Sequence, residues 1–263
     1  MNENFRQFNK VQENIYLTYK NMREKQNIDH YSKLVLNHCY NHEPVTLKIW
    51  DALEATNKFV DLSDPDMTLP NMYHMYQTAE ALRKDGAEDW MILTGLIHDL
   101  GKILFLWGND EDGTSLQEQW ALVGDTFVLG CPFPKDDQIV YPELNPEQSY
   151  EHPWGMYSPN CGLRNVFCSF GHDEYLYHVL QNNKTKLPKE ALYIVRFHSL
   201  YPWHSYGAYT ELEDDFDKYM KPIIQRFNKY DLYTKEDKPI EIDREFYDNL
   251  FQKYGLTEIT FGV

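Results

Sequence analysis

Cysteine is scarce in this chain: four residues in 263, Cys39, Cys131, Cys161 and Cys168, none in a C-x-x-C spacing. A chain of this length buries enough apolar surface without disulfides, so reduced thiols are expected and a cysteine-zinc cluster is disfavoured. Long hydrophobic runs are lacking too. Nothing approaches the roughly 18 to 20 apolar residues of a membrane span, and Met1 to Lys10 is polar, without the apolar centre of a signal peptide. The expectation is a soluble, cytoplasmic protein. Basic charge is also short, with 25 Lys and Arg against 41 Asp and Glu and a net charge of −16. No basic stripe offsets this, which excludes nucleic acid and acidic membrane as partners and favours a small neutral one. No Gly/Ser-rich or Pro-rich linker interrupts the chain, so residues 1–263 are expected to form a single domain, a monomer.

What is present is mostly helical periodicity. It predicts a long helix from Val11 to Leu36, a second beginning after Pro44, and a third from Met72 to Lys84 capped by Asn71 and ended by Asp85-Gly86. A fourth, Glu88 to Leu106, is apolar almost all round and belongs at the centre of the fold. Between Gly108 and Tyr157 the pattern breaks into an acidic insert, a short β-hairpin near Thr126 to Val128, and a Pro-rich loop. Helical spacing returns at Cys161 to Cys168, Asp173 to Asn182, Lys189 to His198, Leu212 to Lys229 and Asp243 to Tyr254. The fold class predicted is all-α: a helical bundle with one short hairpin and long loops.

Within the fourth helix, His98-Asp99 sits in the apolar run Trp90 to Phe105. Burying a carboxylate there costs several kcal/mol unless a cation or several hydrogen bonds compensate, which points to a metal ion. Other imidazoles and carboxylates must then reach it from other helices. His74 has small neighbours at helical spacing, Thr78 and Ala81, leaving room for an ion; a hydrogen-bonded core histidine is the plain alternative. His172 opens a stripe continued by Leu176 and Val179, beside solvated Asp173 and Glu174; capping a helix N-terminus is the plain alternative. His198 and His204, in HSLYPWH, are equally eligible by chemistry. The apolar stripe at 212, 216, 219, 220, 223 and 227 extends to Asp231 and Lys235, aimed inward unless they form an exposed salt-bridging helix end. His74, His98, Asp99, His172, His198 and Asp231 together exceed the needs of a four-coordinate zinc ion. They suit two ions of intermediate hardness, iron or manganese, with Asp99 able to bridge through its two oxygens.

A helical His, an adjacent His-Asp and a later Asp, in that order, resemble the HD-domain superfamily. The wider text is more specific. FRQF, DLSDPD, HMYQTAEALR, GLIHDLGKIL, VGDTF, GLRNVFCSFGHDEY, FHSLYPWH and NKYDLYTK resemble the myo-inositol oxygenase family across nearly the whole chain. The resemblance implies an HD-domain-like fold with a helical cover at residues 1–40 and a metal-binding core at 71–235. It also implies an enzyme with two iron ions, mixed-valent Fe(II)/Fe(III) in the active form, and O2 as co-substrate. That enzyme would cleave the C1–C6 bond of myo-inositol, or a close cyclitol, to give D-glucuronate and water. One iron would take His74, His98, Asp99 and Asp231; the other would take Asp99, His172 and His198. Lys102 is implied as the catalytic ammonium beside Asp99. Arg6, Asp61, Leu62, Ser63, Lys102, Gly124, Asp125, His198, Ser199 and Lys235 are implied as substrate contacts. A polyol needs acceptors and charged donors all round it, which these residues supply. Turn capping is the competing role for Ser63 and Asp125, and a snorkelling surface position for Lys102.

Two departures from the family pattern stand out. Leu62 occupies a position where the family carries an acidic residue, and its side chain accepts no hydrogen bond. The insert at Gly108 to Gln119 lengthens the connection after the His-Asp helix and reads as a surface loop. The rival reading is an HD-type metal-dependent phosphohydrolase, or a di-iron oxygenase acting on another polyol or a phosphonate. Phosphate recognition recruits arginines, and the implied pocket has mainly Lys102, Lys235 and acids.

Overall fold

The computed structural model describes residues 13–63, 70–145, 149–233, 240 and 242–262. Its elements are α1 (Glu13–Lys25), α2 (Ile28–Leu34), β1 (Val45–Lys48), α3 (Ile49–Ala55), α4 (Asn71–Lys84), α5 (Asp89–Ile97), α6 (His172–Asn182), α7 (Lys189–Phe197), α8 (Tyr201–His204), α9 (Asp215–Tyr233), α10 (Arg244–Tyr254) and β2 (Glu258–Phe261). The architecture is all-α, as expected. Helix α5 is the hub: α4, α7, α9 and α10 all pack on it, and α6 lies along α7. Met91 to Ile97 are all buried, which is why a helix apolar all round takes the centre. Among the described residues, no helix is long and apolar enough to cross a membrane.

Several boundaries differ from the sequence reading, each for a local reason. The predicted first helix breaks at Gln26-Asn27. Asn27 caps α2 by accepting from the His30 N–H, and the Gln26 amide leaves the helix to pair with the backbone of Phe170. A six-residue π-helical stretch, Val35–Tyr40, then continues α2. After Pro44 comes strand β1, not a helix, because Val45–Lys48 pairs antiparallel with β2 in the register Val45↔Phe261 to Lys48↔Glu258. This small sheet joins two segments that lie more than 200 residues apart. The hairpin expected near Val128 does not form; that backbone pairs instead with the distant 167–169 segment, through one bridge between Val128 and Cys168. Between Cys161 and Cys168 only the 3₁₀ turn Leu163–Asn165 is helical. Helix α9 begins at Asp215, not Leu212, since the Asp214 carboxylate caps it by accepting from the Phe216 and Asp217 N–H groups. Its buried stripe runs Met220, Ile224, Phe227, Asp231, and Tyr219 faces solvent.

The predicted fourth helix does not run through to Leu106. Helix α5 stops at Ile97, Asp99 leaves helical geometry with φ −95° and ψ 1°, and residues Leu100–Leu106 continue as 3₁₀ turns. Two glycines flank this break. A Cβ at Gly95 would stand 2.7 Å from Leu82 Cδ1 and 3.2 Å from Ala79 Cα, so its absence lets α4 approach α5 closely. A Cβ at Gly101 would stand 2.1 Å from the His172 carbonyl oxygen, so its absence lets the 3₁₀ segment abut the first turn of α6. The glycines thus set the distances between the three segments that carry His74, His98-Asp99 and His172.

The acidic insert is tethered to the body of the protein. Asp112 accepts from Asn109 and Thr114 within the loop, and lies 2.9 Å from His38 Nε2 on the π-helical stretch. At its end, the buried Gln119 amide spans two backbone groups of the DLSD segment, donating to the Val60 carbonyl at 3.2 Å and accepting from the Leu62 N–H at 3.1 Å.

Candidate metal centre

The six expected ligands converge, from five segments, on one buried point. His74 comes from α4, His98 and Asp99 from the end of α5, His172 from the first turn of α6, His198 from the residue after α7, and Asp231 from the last turns of α9. All six are 5 % exposed or less. Asp99 lies in the middle. Its Oδ2 faces His98 Nε2 at 3.7 Å and His74 Nε2 at 4.0 Å, and its Oδ1 faces His172 Nε2 at 3.0 Å and His198 Nε2 at 3.7 Å. Asp231 Oδ1 closes the first side, 2.7 Å from His74 Nε2 and 3.2 Å from His98 Nε2. Two groups of donor atoms gather within 4.8 Å of one another, His74 with His98 and Asp99, and Asp99 with His172 and His198.

Metal ions fit these residues on three grounds. The Nδ1–H groups of His98, His172 and His198 donate to the carbonyls of Gly95 (2.9 Å), Leu122 (2.6 Å) and Val195 (3.0 Å), which turns each Nε2 lone pair to the centre. His98 Nε2 is buried and makes no well-aligned hydrogen bond even to Asp231 Oδ1 at 3.2 Å, and His172 and His198 face one another with Nε2 atoms 3.2 Å apart. Lone pairs so opposed need a cation between them. The spacings also suit coordination, since bonds of about 2.1 Å put neighbouring ligands about 3.0 Å apart in an octahedron and about 3.4 Å apart in a tetrahedron.

Electrostatics agree with an anionic, cation-seeking centre. Burial opposes ionisation of Asp99, yet Lys102 and His98 outweigh it and hold its carboxyl well below the usual range. Asp231 is lowered likewise against its burial, chiefly by His98 and His74. Burial disfavours charge on His172, but Asp173 and Asp99 overcome it and push the ring up to about 10 while only protons compensate the carboxylates. A metal would displace those protons.

Lys102 is buried, not snorkelling. Its Nζ donates to Asp99 Oδ2 at 2.9 Å and to Asn71 Oδ1 at 3.1 Å, and pairs with Asp61 Oδ2 at 2.9 Å. Burial disfavours its charge, but Asp61 and Asp99 reverse the sign and keep the ammonium protonated far above neutrality. Asn71, expected as a cap, is instead the first residue of α4, with Pro70 before it, and it serves Lys102.

The other expected site residues divide. Asp61 Oδ1 accepts from both the N–H (2.8 Å) and the hydroxyl (2.7 Å) of Ser63, a turn that leaves Oδ2 to Lys102. Asp125 Oδ1 accepts from the Tyr19 hydroxyl at 3.0 Å, and at Gly124 (φ +90°) Met22 Cε would stand 3.1 Å from a Cβ, so α1 lies directly over the VGDTF segment. Ser199 donates to Asp173 Oδ1 at 3.3 Å. Leu62 turns its side chain outward, and its N–H is already taken by Gln119. Arg6 and Lys235 lie outside the described residues.

Position resolves the His198/His204 ambiguity: His204 Nε2 donates to the His198 carbonyl at 2.9 Å, behind the ligand cluster, and burial lowers its ring to about 4. Asp173 and Glu174, expected to be solvated, are 1 % and 2 % exposed. Glu174 pairs with Arg196 at 2.7 Å and accepts from Tyr31 at 2.7 Å, and burial is outweighed by Arg196 so that its carboxyl falls to about 2. Glu174 lies two residues after His172 and Arg196 two before His198, so this ion pair locks α6 to α7 beside their two ligands. Of the residues missed, Asp173 carried a readable signal: His172-Asp173 repeats the His98-Asp99 dipeptide.

An all-α scaffold that buries four imidazoles and two carboxylates round one point defines a metal-dependent helical enzyme. The model of the family described as "Myo-inositol oxygenase" matches residues 12–261. The chain belongs to that family, which makes it an oxygenase. Among its relatives, the inositol oxygenase of Dictyostelium discoideum is 40% identical over 98% of this chain and 89% of its own length. The inositol oxygenase of Mus musculus is 43% identical over 91% and 84%. The probable inositol oxygenase of Oryza sativa subsp. japonica is 46% identical over 78% and 68%.

Proposed function

We propose that this chain holds two iron ions and uses dioxygen to cleave the C1–C6 bond of myo-inositol, giving D-glucuronic acid and water. The observation that carries the reading is the division of Asp99 between two sets of donors, His74 and His98 on its Oδ2 side and His172 and His198 on its Oδ1 side. A carboxylate facing two imidazole pairs is the arrangement a bridging ligand needs. His74, His98, Asp99 and Asp231 would hold one ion, and Asp99, His172 and His198 the other, leaving that second ion fewer protein ligands and so room for substrate hydroxyls. When bound, such ions supply Lewis acidity toward hydroxyl groups and the redox capacity that dioxygen chemistry requires.

The chain's own residues do the rest. Lys102 keeps its proton, so at Nζ it acts as a charged donor that stabilises negative charge on a substrate oxygen, not as a base. Asp61 and Asn71 aim it. Asp61, Ser63, Gly124, Asp125 and Ser199 supply the remaining polar contacts, with Arg6 and Lys235 proposed to join them by family resemblance. The contacts of Tyr19 with Asp125 and Met22 with Gly124 support a role for residues 1–40 as a cover that excludes water from a core at 71–235. A phosphohydrolase is disfavoured because the two buried arginines among the described residues are occupied elsewhere, Arg23 by backbone carbonyls and Asn145, Arg196 by Glu174.

The test is anaerobic titration of the iron-loaded protein with myo-inositol under electron paramagnetic resonance, followed by admission of oxygen. About two irons per chain, a signal perturbed by substrate, and oxygen uptake matched to uronic acid are expected. Phosphate release without oxygen uptake would overturn the reading.

A further inference from the structure

Beside the second group of donors stands a carboxylate for which the ligand scheme has no use. Asp173 follows His172 in the first turn of α6 and is 1 % exposed. Its Oδ1 lies 2.8 Å from His172 Nε2 and accepts one long hydrogen bond, 3.3 Å, from the Ser199 hydroxyl. Its Oδ2 is buried with no hydrogen-bond partner. The His172 contact is not a durable one. The ring donates its Nδ1–H to the Leu122 carbonyl, so in the neutral ring Nε2 carries a lone pair, which a bound cation would take. Both oxygens of a buried carboxylate are then short of donors, a condition that persists only where something supplies them.

We propose that Asp173 is a substrate-contacting residue, accepting hydrogen bonds from hydroxyls of the polyol at the Asp99–His172–His198 side of the site. The inference rests on the function proposed above. The donor atoms that converge within 4.8 Å there belong to Asp99, His172 and His198, so Asp173 borders that donor set at His172 without joining it. A cyclitol fits the deficit because its hydroxyls are donors at every ring carbon. Ser199, already bonded to Asp173, would turn its own lone pairs to the same ligand. Asp173 and Ser199 would thereby form one acceptor pair beside His172, which meets Asp99 Oδ1, while the charged donor Lys102 meets Asp99 Oδ2.

The test uses iron-loaded protein under anaerobic conditions, so that binding is read without turnover. Asp173→Asn keeps the shape and removes the charge; Asp173→Ser, which leaves space for water, serves if the first variant folds poorly. The iron content of either variant is expected to equal that of the parent. Its myo-inositol dissociation constant should rise about 10- to 100-fold, the usual effect of losing a charged acceptor. A series of deoxy-inositols, each lacking one hydroxyl, should contain a member whose binding the parent disfavours and the variant does not penalise further, a coupling that a merely structural role would not produce. Loss of about half the iron would make Asp173 a ligand and overturn the proposal, as would unchanged affinity or an equal penalty for every deoxy-inositol. Failure of the parent itself to bind myo-inositol would remove the underlying function, and this inference with it.

Discussion

Buried Lys102 and partly buried Asp61 form an ion pair, Nζ to Oδ2 at 2.9 Å, between the segment after the His-Asp break and the DLSD turn. The same ammonium donates to Asp99 at 2.9 Å, so one proton-bearing nitrogen links the expected bridging ligand to the expected substrate loop. Lys102→Gln should therefore leave iron content near that of the parent, because every imidazole keeps its orientation. Turnover should fall about 100- to 1000-fold, the scale for removing one preorganised charged donor. Iron assay and steady-state kinetics together check this; normal turnover would remove Lys102 from the reaction.

Asp61→Asn separates aiming from charge. It leaves Lys102 one carboxylate partner and weakens the pair, at a stability cost of about 3–5 kcal/mol if the ammonium finds no other anion. Asn71 and Asp99 remain within reach, so the cost should fall at or below the lower end. The kinetic signature should be a raised KM with a smaller change in kcat, read from saturation curves. An equal fall in kcat and kcat/KM would mean instead that Asp61 acts only in the transition state.

The two glycines around the His-Asp pair make opposite predictions. At Gly95 the closest obstacle to a Cβ is the end of the flexible Leu82 side chain, 2.7 Å away. At Gly101 it is the His172 carbonyl, backbone, at 2.1 Å. Gly95→Ala should cost about 1–3 kcal/mol, as overpacking does, and keep its iron. Gly101→Ala must push the 3₁₀ segment off α6, parting Asp99 from His172, so it should lose iron as well as stability. Thermal unfolding and metal analysis of both variants decide the matter, and full iron in Gly101→Ala would refute this account of the site's assembly.

These glycines also mark what was legible in the chain and what was not. The ligand residues could be read because a carboxylate or imidazole on an apolar stripe is chemically conspicuous: Asp231 extends the stripe through Met220, Ile224 and Phe227, and His98-Asp99 interrupts an apolar helix. The end of α5 at Ile97 was not legible, since nothing local stops a helix there; the break is held by α6, more than 70 residues further along the chain. Strand β1 was missed for the same reason, its partner being β2 near the other end of the chain. Asp173 reads as solvated because its neighbours in sequence are polar, whereas in the fold it is buried and meets Ser199, just beyond α7. Local periodicity thus found the residue types, and tertiary contacts decided which of them meet.

His204 carries the pH prediction. Burial disfavours its charge and lowers the ring from 6.5 to about 4, with Nε2–H given to the His198 carbonyl and Nδ1 facing the Ser205 hydroxyl at 3.0 Å. A base whose folded pKa is depressed stays neutral in the native state while the unfolded chain already binds a proton. Between about pH 6.5 and 4 the unfolded state therefore holds more protons, and stability rises with pH. The contribution is complete above 6.5 and is lost progressively as the pH falls to about 4, amounting to about 3 kcal/mol over that window. His204→Gln can keep the donor to the His198 carbonyl yet does not titrate. Its unfolding free energy, measured by urea denaturation at intervals from pH 7 to 4, should fall less steeply than the parent's across this range. Parallel pH profiles would show that His204 is not the group that makes this protein sensitive to mild acid.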